Sequence, residues 1–144
     1  MSGKALVTGG AGFIGSHLVD RLIDDDWEVL AVDDLSKGHL DRLAEARRIG
    51  PVHFHQLDIG SAEFREAVRR FEPDVVHHLA AQSGVRPSVE DPMFDARVNI
   101  LGTINVLQAA AEAEAQRVVF ASSGGAMFGE VPGAPVAEDA PALP

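Results

Sequence analysis

The chain has 144 residues, enough for one domain with a substantial buried core. Twenty-two acidic against twelve basic side chains leave a formal charge of −10, which disfavours a nucleic-acid partner. The absence of cysteine excludes disulfides and thiolate metal sites. No apolar run approaches the roughly 18 residues that span a bilayer, so no membrane partner is expected. Strand-like sequence starts almost at once, leaving no room for a secretory leader, and the cytoplasm is the expected compartment.

Strand and helix patterns alternate along the chain. Ala5-Leu6-Val7 reads as a buried strand running into glycines, and Ile14, Leu18, Val19, Leu22 and Ile23 then share one helical face. Val29–Val32 is a second strand ending at Asp33-Asp34, followed by a short helical stretch over Asp41–Arg48. Pro51 introduces a third strand, Val52–Leu57, and Ser61–Phe71 is helical with Phe64, Val68 and Phe71 on one side. A fourth strand covers Val75–Ala80 and a fifth Val118–Ala121, with a long helix from about Pro92 to Glu114 between them. Strands apolar on both faces and separated by helices predict an α/β fold: a doubly wound, Rossmann-type parallel sheet of order 3-2-1-4-5. It is expected to occupy residues 1–144 as a single dinucleotide-binding domain. The proline-rich tail, Val131–Pro144, is expected to be extended and solvated.

The run GGAGFIG, Gly9–Gly15, follows a strand and opens a helix. That context turns free backbone N–H groups and the helix dipole toward a pyrophosphate. Gly12 would let phosphates approach the backbone, and Gly15 would let the helix lie close to the strand. The next strand ends in Asp33, at the distance from the glycines expected of a carboxylate that accepts ribose hydroxyls. A carboxylate there repels a 2′-phosphate, so NAD is favoured over NADP. Lys37 could tolerate such a phosphate but reads first as a solvated loop lysine. No G-K-[ST] follows the glycines, which excludes a P-loop.

Four histidines invite a metal reading. His77 and His78 are adjacent in a strand and point to opposite faces, so half-buried, hydrogen-bonded imidazoles are expected instead. His53 and His55 share a face but have no evident acidic partner in register, and no metal site is predicted.

TGGAGFIGSHL, VDDLSKG, LDI, HHLAAQSGVRPSVEDP, VNILGTINVL and FASSGGAMFGE occur in this order. With them the chain resembles the extended short-chain dehydrogenase/reductase family, in its branch of NAD-dependent sugar-nucleotide epimerases and dehydratases. The nearest type is the 4-epimerases of UDP-glucose. The resemblance implies that Gly9, Gly12, Gly15 and the backbone of Phe13 and Ile14 meet the pyrophosphate. It places Asp33 on the adenosine ribose with Asp34 and Ser36 nearby, and Asp58 and Ile59 beside the adenine. Leu79, Ala80 and Ala81 would line the cofactor, with Gln82 toward the nicotinamide, Asn99 facing the active site and Ser122 close by. Taken alone, Asp58 reads equally as a helix N-terminal acid and Asn99 as a surface amide.

The family's chemistry also needs a tyrosine and a lysine one helical turn apart, the lysine lowering the phenol's pKa. This sequence has no tyrosine, and its only lysines are Lys4 and Lys37. The chain is therefore expected to be the N-terminal part of a longer enzyme and inactive by itself. The family's catalytic hydroxyl falls at Gly124, leaving Ser123 and Ser122 as the nearest hydroxyls, with Ser123 the candidate to hydrogen-bond the sugar. Phe128 stands where a tyrosine is commoner, and Gly125-Ala126 where dehydratases carry acids, which favours an epimerase. The implied reaction is oxidation at C4 of a UDP-sugar, rotation of the ketone and return of hydride. The alternatives are a non-catalytic NAD-binding sensor, or an oxidoreductase or dehydratase of the same family. Ile100–Ala111 is apolar nearly all round, predicting a homodimer or pairing with a missing C-terminal segment.

Overall fold

The computed structural model describes residues 2–129 and 135–142. Strand β1 (Gly3–Thr8) takes the centre of a parallel sheet because its alternate side chains are buried on both faces. Around it lie β2 (Trp27–Asp33), β3 (Val52–Gln56), β4 (Val75–His78) and β5 (Arg117–Phe120). Their order is β3-β2-β1-β4-β5, and every pairing is parallel, with Ala5 opposite both Val29 and Val75. The predicted doubly wound α/β fold and its strand order are what the chain adopts.

The connections are α1 (Phe13–Asp24), α2 (Ala44–Ile49), α3 (Ala62–Phe71), α4 (Val85–Glu90), α5 (Pro92–Ala96), α6 (Thr103–Glu112) and α7 (Gly124–Phe128). The two-residue period of the strands divides the core in two. Ala5, Val7, Val29 and Ala31 pack with Val19, Leu22 and Ile23 of α1 and Ala46 of α2. Leu6, Leu30, Val32 and Val76 pack on the other face with Phe64 and Val68 of α3 and Val106, Ala109 and Ala110 of α6. Burial of each larger side chain contributes about 1.5–3 kcal/mol. Ser61 starts α3 as its cap, its Oγ accepting the Phe64 N–H at 3.1 Å.

Three expectations change. Burial on both faces holds for the central strands and fails at the edges, where three of the five residues of β3 and three of the four of β5 are exposed. His53 does have an acidic partner: its Nε2 lies 3.0 Å from Glu28 Oε1 on the neighbouring strand. The long helix is not uniform, because a π-helical stretch, Arg97–Gly102, joins α5 to α6. The short helices α4 and α7 were not anticipated. Of the tail, Pro135–Ala142 has neither helix nor strand and is largely exposed, and the rest lies outside the described residues. Among the described residues no helix is long and apolar enough to cross a membrane.

Candidate functional site

A cleft of about 520 Å³ opens where the carboxyl ends of β1, β2 and β4 meet the start of α1. A larger groove, about 700 Å³, runs between α3 and the β3 edge past His53, His55 and Phe71. No glycine lines that groove, so size alone does not mark the site.

Gly9, Gly12, Phe13, Ile14 and Gly15 form one wall of the cleft, and α1 begins at Phe13 with Gly12 as its cap. A Cβ at Gly15 would strike the Gly9 carbonyl, so only glycine lets the helix start this close to the turn. The second wall comes from the end of β2, with Asp33, Asp34 and Ser36. Asp33 is buried, its Oδ2 accepting the Ala11 N–H at 3.0 Å and its Oδ1 the Leu35 N–H at 2.9 Å. A Cβ on Gly38 would come within 2.5 Å of Asp33 Oδ1, so the turn closes tightly over the carboxylate. Asp34 instead holds its own turn, its Oδ1 accepting from the backbone and hydroxyl of Ser36.

Asp58 and Ile59 line the cleft beyond β3. Asp58 Oδ1 accepts the Gly60 N–H at 2.7 Å, so it forms a turn and leaves the capping of α3 to Ser61. Leu79, Ala80, Ala81 and Gln82 form the wall after β4. That wall is fixed by a hydroxyl–imidazole chain that the sequence did not reveal. Thr8 Oγ1 accepts the N–H groups of Leu79 and Ala80, both at 3.2 Å, and therefore gives its own proton to His78 Nδ1 at 2.7 Å. The imidazole then carries its proton on Nε2, which donates to Thr103 Oγ1 at 3.0 Å on α6. Burial holds the pKa of His78, and of His77, below the usual 6.5. His78 is buried, more than the half-burial expected of it.

Asn99 does not border the cleft. Its Oδ1 accepts the Gln82 N–H at 2.8 Å, and its Nδ2 donates to the Gln82 carbonyl at 2.9 Å and to Asp95 Oδ1 at 3.0 Å. It clamps the loop that carries Gln82, a role neither surface nor active-site reasoning anticipated. Ser122 and Ser123 are also outside the lining; Ser123 Oγ caps α7, accepting the Ala126 N–H at 3.4 Å. The cleft adds Lys37, Gly38, Arg42, Leu57, Ser83, Phe94, Val98 and Ala121 to the predicted set. Lys37 and Gly38 stood in the VDDLSKG run, whereas Phe94 and Val98 arrive through the bend of α5 into the π-helical stretch and left no local signal. Among the described residues no cluster of His, Cys, Asp and Glu is placed to hold a metal ion.

A family model described as GDP-mannose 4,6 dehydratase matches residues 6–144. The chain is 45% identical over 141 residues to a UDP-glucose 4-epimerase of Mycolicibacterium smegmatis, covering 98% of this chain and 45% of that protein. Among solved structures it resembles the Thermus thermophilus UDP-glucose 4-epimerase in complex with NAD, at TM-score 0.86 and 43% identity, over 98% of this chain and 44% of that one. The Thermotoga maritima UDP-glucose 4-epimerase with UDP-glucose matches at TM-score 0.81 and 39% identity, over 91% and 41%. The chain thus spans less than half the length of these relatives.

Proposed function

The chain belongs to the family described as GDP-mannose 4,6 dehydratase, and from that premise we propose that residues 1–144 are the NAD-binding unit of a UDP-sugar 4-epimerase. The observation that carries this reading is the glycine turn at the start of α1 set against the buried, twice hydrogen-bonded Asp33. The first offers N–H donors to a pyrophosphate and the second offers carboxylate lone pairs to a ribose diol. Ile59, Leu79 and Ala80 give the cleft the apolar wall that a flat heterocycle needs, so the residues present fit a dinucleotide.

NAD, when bound, supplies the hydride acceptor and donor. The chain's own residues bind and orient it: the backbone of Gly12–Ile14 holds the phosphates, and Asp33 the adenosine ribose, with Asp34 and Ser36 shaping that turn. Asp58 and Ile59 flank the adenine, and the Leu79–Gln82 wall, braced by Thr8, His78 and Asn99, faces the nicotinamide half. Ser123, whose Oγ caps α7 outside the cleft lining, is the hydroxyl proposed for the sugar, with Ser122 beside it. Proton transfer in this chemistry needs a tyrosine and a lysine, and this sequence has no tyrosine and only two lysines. Non-acidic Gly125 and Ala126 favour epimerase over dehydratase. The missing tyrosine also supports a second reading, an NAD-binding module that does not catalyse.

The face of α6 and the π-helical stretch leaves Ile100, Leu101, Ile104 and Leu107 between 47% and 60% exposed. We read that face as covered by a second copy or by further chain, in a cytoplasmic protein. Calorimetric titration of the 144-residue chain tests the cofactor assignment. NAD should bind more tightly than NADP, and Asp33→Ala should weaken NAD by about 1–3 kcal/mol. Equal affinity of the parent chain for both dinucleotides would overturn it.

A further inference from the structure

Lys37 joins the two walls of the cleft. The segment that carries it is anchored beside the glycine turn, where the His39 N–H donates to the Ala11 carbonyl at 3.0 Å. From there the side chain crosses to the loop after β4, and its Nζ donates to Gln82 Oε1 at 2.9 Å. The ammonium also lies 3.6 Å from where a Cβ on Gly84 would stand.

Among the described residues two cations, Lys37 and Arg42, line the cleft against the carboxylates of Asp33, Asp34 and Asp58. Arg42 is already engaged, its Nη1 donating to the Ala11 carbonyl at 3.3 Å. The Asp33 oxygens hold the Ala11 and Leu35 N–H groups, and Asp34 Oδ1 holds Ser36. Lys37 therefore has no carboxylate partner here. It rests on a neutral amide that takes one of its three N–H donors.

An ammonium in that position favours an anionic acceptor, because a charge-assisted hydrogen bond is roughly twice as strong as one to a neutral group. The start of α1 already favours negative charge in the same cleft. A four-carbon stem lets the charge move between acceptors, which a planar guanidinium does less readily.

We propose that Lys37 is the residue that reads the pyrophosphate charge of the bound dinucleotide, its Nζ leaving Gln82 Oε1 for a pyrophosphate oxygen. The loop after β2 is thereby pinned over the ligand. This rests on the cleft being a dinucleotide site, and it adds a charge contact to a site otherwise built from backbone donors and carboxylates.

The test is titration of the 144-residue chain with NAD, ADP, adenosine and NADP at low and high salt, comparing the parent with Lys37→Met and Lys37→Arg. Lys37→Met should bind NAD and ADP about tenfold more weakly. Adenosine, which has no phosphate, should bind unchanged, and the salt dependence of ADP binding should flatten. Lys37→Arg, which keeps the charge, should retain most of the affinity. An equal loss for adenosine and ADP would mean a merely structural role and overturn the proposal. A loss confined to NADP would place the ammonium at the ribose and also overturn it. A parent that binds NAD with Lys37→Met indistinguishable from it overturns this inference alone. A parent that binds neither NAD nor ADP removes the dinucleotide reading and this inference together.

Discussion

The unit β1–α1–β2 and the unit α6–β5 are both rich in apolar residues, yet they finish differently. The last four residues of β1 and the last five of β2 are buried, with α1 and α2 over one face and α3 and α6 over the other. In β5, Val119 and Phe120 are 44% and 57% exposed, and the outer side of α6 shows Ile104 and Leu107 to solvent. Apolar periodicity records which faces need covering. Whether they are covered depends on what else the chain brings to them, and the relatives that share this fold are more than twice as long.

The contrast can be broken most directly by mutation in each unit. Leu6→Ala should cost about 2–5 kcal/mol in urea unfolding, because the side chain is fully buried between the sheet and the α3–α6 layer. Leu107→Ala should stay within about 0.5 kcal/mol of the parent while weakening self-association in sedimentation. If Leu107→Ala destabilised the monomer as much as Leu6→Ala, the two units would not differ in the way described.

The joint between the units should respond to pH. His78 sits on β4 and bonds both Thr8 of β1 and Thr103 of α6 in its neutral form. Burial lowers its folded pKa, so below the usual 6.5 the unfolded chain takes up a proton that the folded chain refuses. Stability should be flat in this respect above that pH and fall as pH drops through it. His77, shifted the same way, adds to the slope. Replacing His78 by Gln should flatten the decline seen between pH 6.5 and 5 in thermal unfolding; an unchanged slope would remove His78 as its source.

The smallest contrast is between two helix caps. Ser61→Ala should cost about 1 kcal/mol, since α3 is ten residues long and packs Phe64 and Val68 into the core. Ser123→Ala removes an equivalent bond from the exposed, five-residue α7 and should leave global unfolding unchanged. Equal losses would show that α7 is coupled to the core.

These differences also mark where sequence reading stopped. The β1–α1–β2 unit was legible because period two, glycines and period 3.6 follow one another within a few residues, and the carboxylate at Asp33 falls at a fixed distance. Edge exposure of β3 and β5 was not legible, because a strand's place in the sheet is decided by topology and not by its own side chains. The Glu28–His53 pair and the clamp of Asn99 on Gln82 join residues far apart in sequence, so no local pattern announces them. Lys37 was in view, and solvation was the default reading of a loop lysine; only the 2.9 Å contact with Gln82 shows that it crosses the cleft. The π-helical stretch carries no periodic signal of its own, so one long helix was the natural reading.

The place of β1 at the centre of the sheet has a consequence for the growing chain. Parallel neighbours cannot be supplied by a hairpin, so each partner of β1 must return through a crossover. Of the five strands described, β1 is made first; it is flanked on one side by β2 and on the other only once Val75–His78 has been made. Until then Ala5, Leu6 and Val7 have one free hydrogen-bonding edge and one apolar face without its covering helix α6. Non-local pairing of this kind is slow and aggregation-exposed. The segment that ends up most protected in the finished molecule is the one that waits longest, unpaired on that side, during translation.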